Sequence, residues 1–578
     1  MKEKMWRILS AAVAALLGLA GWMHSRREPW EKITFWNILI FLAIAAGFFA
    51  VVYFALQRLN RRKLKYVVPL GGFFGVCTAC GLDLFRNDTL NFSLGGILDK
   101  LFITVSMGVI YAAILALIFS YDFSPRLGKG AAGKFFLIAW LLIFCCWIPC
   151  FIAFCPGLRA YDIRTQLLGI HYGTLTADHP LLHTLIAWGC LRLGRWIHSY
   201  TLGYMIFILS QMLALSASYA GVVAYLRRVG VPRFWQWGVL AWFALFPIHP
   251  LFAVNATKDV LFAACTIAFL LLVVELLRNP DRLRSARFWV IYVAALLVMA
   301  LMRNTGIYVF LIFIPLLVWL LPGRRLMALG LCLLCVAGFY GGRAALNAAI
   351  DVKDGRFTEA LSVPLQQMAR CAYDGVLTEE ESEALEKYIP AWIWKNYNSR
   401  LADMVKTNIN PAAIRRDVDG FVRLWIRLGA RYPQKYMDAF WGMNMGYWYP
   451  DAEYPDPRVW HEYIETNSKY SPTIPIEDFD LWPEGKAFYQ KVAKGAFESI
   501  PLVALFFKPG IYFWAILSLL ALAIYRRKRI AGGVLAFLMV SWLFQLFSPI
   551  ALLRYVYPMI TALPISLGCF YEKEEKSR

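Results

Sequence analysis

KFFLIAWLLIFCCWIPCFIAF, residues 134–154, is an apolar run whose one charged residue is the lysine at its start. A helix of this length crosses the hydrocarbon core of a bilayer, which needs about 20 residues. The segment that follows, YDIRTQLLGIHYGTLTADHPLLHTL (161–185), carries two carboxylates, Asp162 and Asp178. The sequence therefore predicts a membrane span that ends close to a pair of acids at one edge of the bilayer.

The composition places the whole chain in the same class. Hydrophobic residues make up 60% of the sequence and charged residues 17%, and apolar runs of spanning length recur along it. These features predict an all-α polytopic membrane protein. The net charge of +21 lies mainly in short connectors between the apolar runs. Because such basic connectors orient helices in a membrane, we exclude nucleic acid as a partner.

The connectors also predict an orientation. Basic clusters are expected in the cytoplasm, so the alternate connectors face outward and both termini are cytoplasmic. The first apolar run lacks a small-residue cleavage site and is read as a retained helix. We predict about fourteen spans, near 8–23, 34–56, 67–83, 98–120, 134–154, 200–226, 236–253, 259–277, 288–302, 306–321, 327–348, 506–524, 530–547 and 551–570.

The apolar stretch 181–197 is not counted as a span, because counting it would place the basic cluster at 227–233 outside. We expect it to lie along, or dip into, the outer membrane surface. Residues 351–500 hold 23 acidic and 18 basic side chains, against 15 and 41 elsewhere, which predicts a mainly helical outer domain before the last three spans. The predicted parts are N-terminal spans (1–133), a core with a first outer loop at 155–199 (134–348), the outer domain (349–505), and the C-terminal spans with a cytoplasmic tail (506–578).

This topology collects polar residues on the outer face. They lie in the first outer loop and at the outer ends of later spans: Asp162, Asp178, His179, His183, Lys258, Asp259, Arg303, Asn304 and Arg554. A charge at such a position costs at least about 2.5 kcal/mol in insertion scales, so several at one depth indicate pairing or function. Singly, Lys258 and Asp259 are also explained as a local ion pair, and Arg303 as a side chain reaching the headgroups.

Group transfer from a lipid-phosphate donor is the chemistry that suits this set. Asp162 is the expected general base, and the donor phosphate would be bound around Lys258, Asp259, Arg303, Asn304 and Arg554. Asp178, His179 and His183 are expected to position the acceptor or the sugar. Asp162, Asp178 and His179 are the residues that would hold a divalent metal ion, and the sequence leaves open whether one is bound.

The order of these residues resembles the first outer loop of the GT-C glycosyltransferases, especially the protein O-mannosyltransferases and the lipid A aminoarabinose transferases. The matching positions are Asp162 and the element Asp178-His179-Pro180-Leu181. Leu181 stands where the family usually has a second proline, and Ile163 where its first acidic residue is often followed by glutamate. The resemblance implies a GT-C helical bundle with Asp162 as the catalytic aspartate.

Further motifs are similar to a large family of Gram-positive bacterial membrane proteins linked to the same superfamily: TKDVLF, RNTGIY, SVPLQQMAR (362–370), GYWYP (446–450) and RYVYP (554–558). The resemblance implies a polyprenyl-phosphate sugar donor, a lipid, protein or cell-wall acceptor, and a place in the bacterial plasma membrane among membrane lipids. Gln366, Gln367, Tyr447 and Trp448 are candidate substrate contacts. Two glutamines in a loop are more often ordinary surface, and the two aromatic residues are also explained as an interfacial belt.

Two other functions stay open on the sequence. A lipid or polysaccharide transporter or flippase would line its pathway with the same charges, although it predicts ionisable residues at mid-bilayer depth. A non-catalytic assembly protein of the cell envelope would use the outer domain for binding and the edge charges as anchors.

Overall fold

The computed structural model describes residues 2–25, 35–124, 132–160, 162–177, 179–350, 357–452, 462–467, 474–500 and 502–572. These residues are almost entirely helical, and isolated β-bridges join Leu158 to Asn255 and Leu401 to Ile550. The first four helices are α1 (Lys2–Ser25), α2 (Phe35–Arg58), α3 (Arg61–Asn87) and α4 (Leu94–Ile118). The predicted all-helical membrane protein is confirmed.

The next ten helices form the centre of the molecule. They are α5 (Ala132–Ala153), α6 (Ile163–Tyr172), α7 (Leu181–Trp196), α8 (Tyr200–Arg228), α9 (Arg233–Leu245), α10 (Ile248–Ala253), α11 (Lys258–Arg278), α12 (Ala286–Met302), α13 (Thr305–Trp319) and α14 (Arg325–Ala349). Helix α11 lies inside the bundle, since most of its residues from Asp259 to Leu277 are buried. Its first turn is therefore surrounded by protein rather than by lipid.

Shorter helices follow: α15 (Ser362–Tyr373), α16 (Glu379–Glu386), α17 (Ala391–Lys395), α18 (Asp403–Lys406), α19 (Pro411–Arg416), α20 (Val418–Arg431), α21 (Pro433–Trp448) and α22 (Pro483–Ala493). The chain ends with α23 (Pro509–Arg526), α24 (Arg529–Phe544), α25 (Leu553–Ala562) and α26 (Pro564–Tyr571).

Within the described ranges, ten helices are long and apolar enough to cross a membrane: α1, α2, α3, α4, α5, α8, α11, α14, α23 and α24. Helices α12 and α13 are apolar but shorter. The predicted spans 236–253 and 551–570 are each divided, into α9 with α10 and α25 with α26. In the first case Pro247 accounts for the break, because a residue before proline is pushed out of helical geometry and Phe246 has extended backbone angles.

The predicted outer domain, 349–505, has two structural parts. Helices α15 to α20 surround a hydrophobic core of their own, which includes Leu365, Leu385 and Leu428. Residues from the end of α21 onward, such as Tyr447 and Val492, belong instead to the core that the long helices share. The first part is also tied to the loop after α3, because the buried Arg370 guanidinium lies 2.8 Å from Asp88. Both described parts of the polar region therefore contact the bundle.

Candidate functional site

Five charged side chains from four parts of the chain meet at one place. The Asp162 carboxylate lies 2.7 Å from the Lys258 ammonium and 3.5 Å from the Arg554 guanidinium. The Asp259 carboxylate lies 2.9 Å from Arg303 and 3.8 Å from Arg554. We call these five residues the charged cluster. The structure thus brings five of the predicted residues together, with Arg554 within 4 Å of both carboxylates.

The charged cluster has an accessible side and a buried side. The side chain of Asp162 is 32% exposed and that of Lys258 17%, whereas Arg303 and Arg554 are 9% exposed and Asp259 is fully buried. A molecule that approaches from solvent therefore meets Asp162 and Lys258 first. Arg554 is the deeper cation behind them.

Arg303 and Asp259 form the buried side, and their hydrogen bonds are to protein. Arg303 donates to the Gln545 side chain at 3.1 Å and to the Tyr555 carbonyl at 3.2 Å. Asp259 accepts a hydrogen bond from the Thr257 hydroxyl at 3.2 Å. The predicted role of Arg303 in binding a donor phosphate would require it to leave these partners, so we assign it the structural role of neutralising Asp259.

The position of Lys258 is electrostatically unfavourable without Asp162. Lys258 and Asp259 begin α11, where the unpaired backbone N–H groups produce a positive potential. That potential stabilises the Asp259 carboxylate and opposes the Lys258 ammonium. Asp162 precedes α6 but makes no side-chain capping bond, and its carboxylate instead faces Lys258. Asp162 is thus not simply a favourable charge at a helix start.

The protonation of Asp162 is set by its neighbours. Burial acts to raise the pKa of its carboxyl, but the Lys258 ammonium and the Arg554 guanidinium outweigh burial and hold the pKa well below its usual range. His179 lowers it further. The carboxylate is therefore charged at all physiological pH values, and as it stands it is a weak acceptor of protons.

Backbone contacts fix the two loops that carry Asp162 and Lys258. The Leu158 amide donates to the Val254 carbonyl at 2.8 Å, and the Ala256 amide donates to the Leu158 carbonyl at 3.1 Å. The fully buried Gln211 side chain donates to the Asn255 carbonyl at 2.9 Å. The loop after α5 and the loop before α11 thus form one unit, which sets the distance between the carboxylate and the ammonium.

The second element of the first outer loop is described in part. Asp178 lies outside the described residues. His179 is close enough to the Asp162 carboxylate to lower its pKa. Asn304 reaches the Ala177 carbonyl with its side-chain amide at 3.5 Å, so the turn before α13 lies against this loop.

His183 is placed inside the protein rather than on an acceptor surface. Its side chain is fully buried, and its Nδ1 lies 2.8 Å from the Gln166 side-chain oxygen. Burial is the main cause that lowers the pKa of the imidazole, to about 3, so it is neutral. His183 joins α7 to α6, which begins directly after Asp162. It is a positioning residue for that loop.

The structure covers the predicted metal site only in part, because Asp178, one of its three candidate ligands, lies outside the described residues. Among them, no three His, Cys, Asp or Glu side chains gather as metal ligands. The Asp162 carboxylate already faces two cations, and a third positive charge beside them would be repelled. The chemistry derived below uses no metal.

The two candidate glutamines bond to the helices around them. The fully buried Gln366 donates to the Asn398 carbonyl at 2.6 Å. Gln367 accepts a hydrogen bond from the Trp425 indole at 2.9 Å. Both hold the small core of α15 to α20 together, which differs from the expected contact with a sugar.

Tyr447 and Trp448 are also interior residues. The Tyr447 hydroxyl contacts the Ile550 carbonyl at 3.2 Å and accepts from the Leu552 amide at 3.1 Å. The Trp448 carbonyl accepts from the Trp514 indole at 2.9 Å. Neither forms an exposed stacking surface, since both are nearly buried. Tyr447 instead holds the segment that enters α25 and carries Arg554.

Replacing Tyr447 with phenylalanine is expected to loosen that segment. The Leu552 amide would be left without its acceptor in the interior, which costs about 1–3 kcal/mol of unfolding free energy. Hydrogen exchange at Leu552 should become faster, together with a lower melting temperature. Tyr436→Phe is the matched control, because it removes a 2.7 Å bond to the Trp425 carbonyl in the other core. Equal exchange at Leu552 in both variants would contradict the assignment.

Two further residues were not identified from the sequence. Tyr555 lies between two arginines, with its ring centroid 5.0 Å from the Arg303 guanidinium and 4.8 Å from that of Arg554. Arg159 is 1% exposed and lies 2.7 Å from Asp478, which joins the first outer loop to the region before α22. Tyr555 belongs to the motif RYVYP, so the sequence could have indicated it. No sequence feature indicates Arg159, since its partner is distant along the chain.

Comparison with known proteins gives one match. A family model described as a family of unknown function, DUF6020, matches residues 161–578. No curated protein and no solved structure matches the chain. The matched region includes the whole charged cluster and more than half of the sequence. The chain therefore belongs to the DUF6020 family.

Proposed function

We propose that this chain is a membrane glycosyltransferase that moves a sugar from a polyprenyl-phosphate donor to a lipid, protein or cell-wall acceptor on the extracytoplasmic side. The observation that supports it best is the Asp162 carboxylate, part-exposed beside a long apolar helix, 2.7 Å from Lys258 and 3.5 Å from Arg554. A base and a phosphate-binding pair of cations are the two requirements of this reaction.

The donor phosphate would bind to Lys258 and Arg554. Both cations lie on or behind the accessible side of the cluster, and anionic lipid headgroups lie at the membrane edge where these residues are predicted. A phosphate that enters replaces Asp162 as their counter-ion. It also adds negative charge close to Asp162. Both changes raise the pKa of that carboxyl, so donor binding converts a weak base into a stronger one.

The chemical step then needs no further group. The acceptor hydroxyl oxygen forms a bond to the anomeric carbon of the sugar, and its proton passes to the Asp162 carboxylate. The bond between the anomeric carbon and the phosphate oxygen breaks, and the electron pair stays on the polyprenyl phosphate. Lys258 and Arg554 stabilise the charge that develops on that oxygen. Deprotonation of Asp162 by water restores the starting state.

The reaction would take place at the outer surface of the membrane. The proposed location is the bacterial plasma membrane, with both termini cytoplasmic and the polar region outside, an orientation that the basic connectors favour. A GT-C-like helix arrangement is part of the same proposal.

Binding of the leaving product tests the phosphate site without knowledge of the sugar. Full-length protein in nanodiscs is titrated with polyprenyl monophosphate, and polyprenol without phosphate is the ligand control. We expect tight binding of the monophosphate alone, weakened about tenfold or more in Lys258→Met through loss of one charge-assisted bond. Lys508→Met is the matched variant, since Lys508 is 13% exposed and pairs with Asp451, and neither residue belongs to the charged cluster.

Equal binding of phosphate and alcohol, or equal weakening by Lys508→Met, would count against the proposal. With donor present, the assay also measures sugar transfer and release of polyprenyl phosphate. Movement of the intact lipid-linked sugar across the bilayer without bond cleavage would support the transporter alternative instead.

A further inference from the structure

Two basic connectors that are far apart in sequence meet in the folded chain. The connector between α2 and α3 and the connector between α23 and α24 line one cavity of about 990 Å³. The end of α4, with Phe119 and Ser120, completes the wall. The positive-inside rule predicts each connector at the cytoplasmic face, but it does not require that they converge.

The cavity, which we call the basic pocket, has an unbalanced charge. Of its ten lining residues six are cationic and none is acidic within the described part of the chain: Arg58, Arg62, Lys63, Arg526, Arg527 and Lys528. Another cavity, near the end of α11, shows the contrast, because there Arg282 and Arg228 lie 2.8 Å and 3.5 Å from Glu275. The basic pocket therefore differs from that second cavity, since its lining, among the described residues, includes no carboxylate comparable to Glu275.

Lys63 lies at the base of the pocket. It is only 8% exposed, and its ammonium donates to the Arg58 carbonyl and the Ser120 hydroxyl, each at 2.7 Å. These two neutral acceptors use two of its three hydrogens. A buried ammonium without a negative partner is unfavourable, so an anion in the pocket would stabilise it.

Two arginines of the basic pocket connect neighbouring helices, and two other arginines are available to bind a ligand. Arg62 donates to the Tyr525 carbonyl at 2.7 Å, and Arg526 donates to the Phe119 carbonyl at 2.9 Å, so both join neighbouring helices. Arg58 and Arg527 are exposed, and neither has a side-chain partner among the residues that are described. Their guanidinium groups can bind a phosphate without first breaking a bond.

Apolar side chains beside the pocket indicate what carries the phosphate. Leu64 and Val68 of α3 and Ile524 of α23 are 38%, 54% and 58% exposed, within about two turns of the pocket cations. On helices that span a membrane, such side chains face acyl chains. We infer that the basic pocket binds the headgroup of an anionic phospholipid at the face assigned to the cytoplasm, with its phosphate on Arg58, Arg527 and Lys63.

Native mass spectrometry of the full-length protein in neutral detergent tests this site. The probes are phosphatidylglycerol, phosphatidylcholine and inorganic phosphate. We expect saturable binding of phosphatidylglycerol only, about fivefold weaker in Arg58→Gln or Arg527→Gln and about 25-fold weaker in the double variant. Lys65→Gln, an exposed cation of α3 outside the pocket, is the control and should bind as the unaltered protein does.

Each other result overturns the inference. Equal binding of the two phospholipids would mean that the negative charge is not recognised. Undiminished binding in the double variant, or an equal loss in Lys65→Gln, would place the lipid elsewhere. Inorganic phosphate that binds as tightly as phosphatidylglycerol would make the ligand a soluble phosphate compound. None of these outcomes depends on the proposed sugar transfer, because the pocket cations are not part of the charged cluster.

Discussion

Replacing Asp162 with asparagine is expected to lower kcat for sugar transfer by about 10²- to 10⁴-fold, the usual contribution of a general base. Asparagine has nearly the shape of aspartate but cannot take the acceptor proton. Binding of polyprenyl monophosphate should persist or become tighter, because Lys258 and Arg554 would no longer face a competing carboxylate. Transfer rates and product affinity are measured on the same nanodisc preparation.

Asp451→Asn is the matched control for this variant, since Asp451 is a part-exposed carboxylate that pairs with Lys508. It should leave kcat and product affinity unchanged. A variant of Asp162 that transfers sugar at the normal rate would disprove the base assignment. Weaker product binding in Asp162→Asn would show instead that the residue contacts the ligand or supports the fold.

The pH dependence gives a second measure of the same assignment. In the free protein the pKa of Asp162 is depressed, so kcat/KM should show no acid limb from this group near neutral pH. Its contribution to stability is present above about pH 4, the unfolded value, and is lost as pH falls below it. Once phosphate binds to Lys258 and Arg554, the pKa of Asp162 should rise. As the pH is lowered, kcat should therefore begin to fall at a higher pH than kcat/KM does.

Replacing Arg303 with methionine is expected to destabilise the fold by about 3–5 kcal/mol, because the fully buried Asp259 side chain would lose its closest cationic partner. The melting temperature of the full-length protein, followed by tryptophan fluorescence, measures the loss. Adding Asp259→Asn to the same chain should restore much of it, since the unpaired charge is removed.

Arg192→Met is the control for that loss, because Arg192 is an exposed arginine of α7 and should affect melting little. If Arg303→Met melts like the unaltered protein and binds polyprenyl phosphate poorly, Arg303 belongs to the phosphate site as the sequence first indicated. If it melts early and Asp259→Asn rescues it, the buried pair is structural.

Hydropathy was sufficient to predict most helices. The predicted span 134–154 corresponds to α5 (Ala132–Ala153), and 259–277 to α11 (Lys258–Arg278). It failed at 236–253, because average apolarity does not register the conformational effect of Pro247. It also treated 349–505 as one polar region, although the part after α21 packs into the shared core. Aromatic residues make that packing, and their burial depends on contacts that are distant in sequence.

The sequence could predict which charges share a face, but not which ones pair. Arg303 and Arg554 both stand near the outer ends of apolar runs and look equivalent in the sequence. Their roles diverge because Gln545 and the Tyr555 carbonyl hold Arg303, while Arg554 extends to Asp162. Such differences arise from how α24 and α25 pack against α11. For the same reason the sequence does not predict the ion pair of Arg159, whose partner Asp478 follows more than 300 residues later.

The bridge between Leu158 and Asn255 limits how this molecule can open. Because the two loops are joined backbone to backbone, a swing of one loop at this point would break those hydrogen bonds or move the other loop with it. A ligand that enters between Asp162 and Lys258 without breaking those bonds would require rotation of the two side chains, which is far faster than the motion of a domain hinge. The paired loops thus hold the backbone in place while the two side chains are free to rotate.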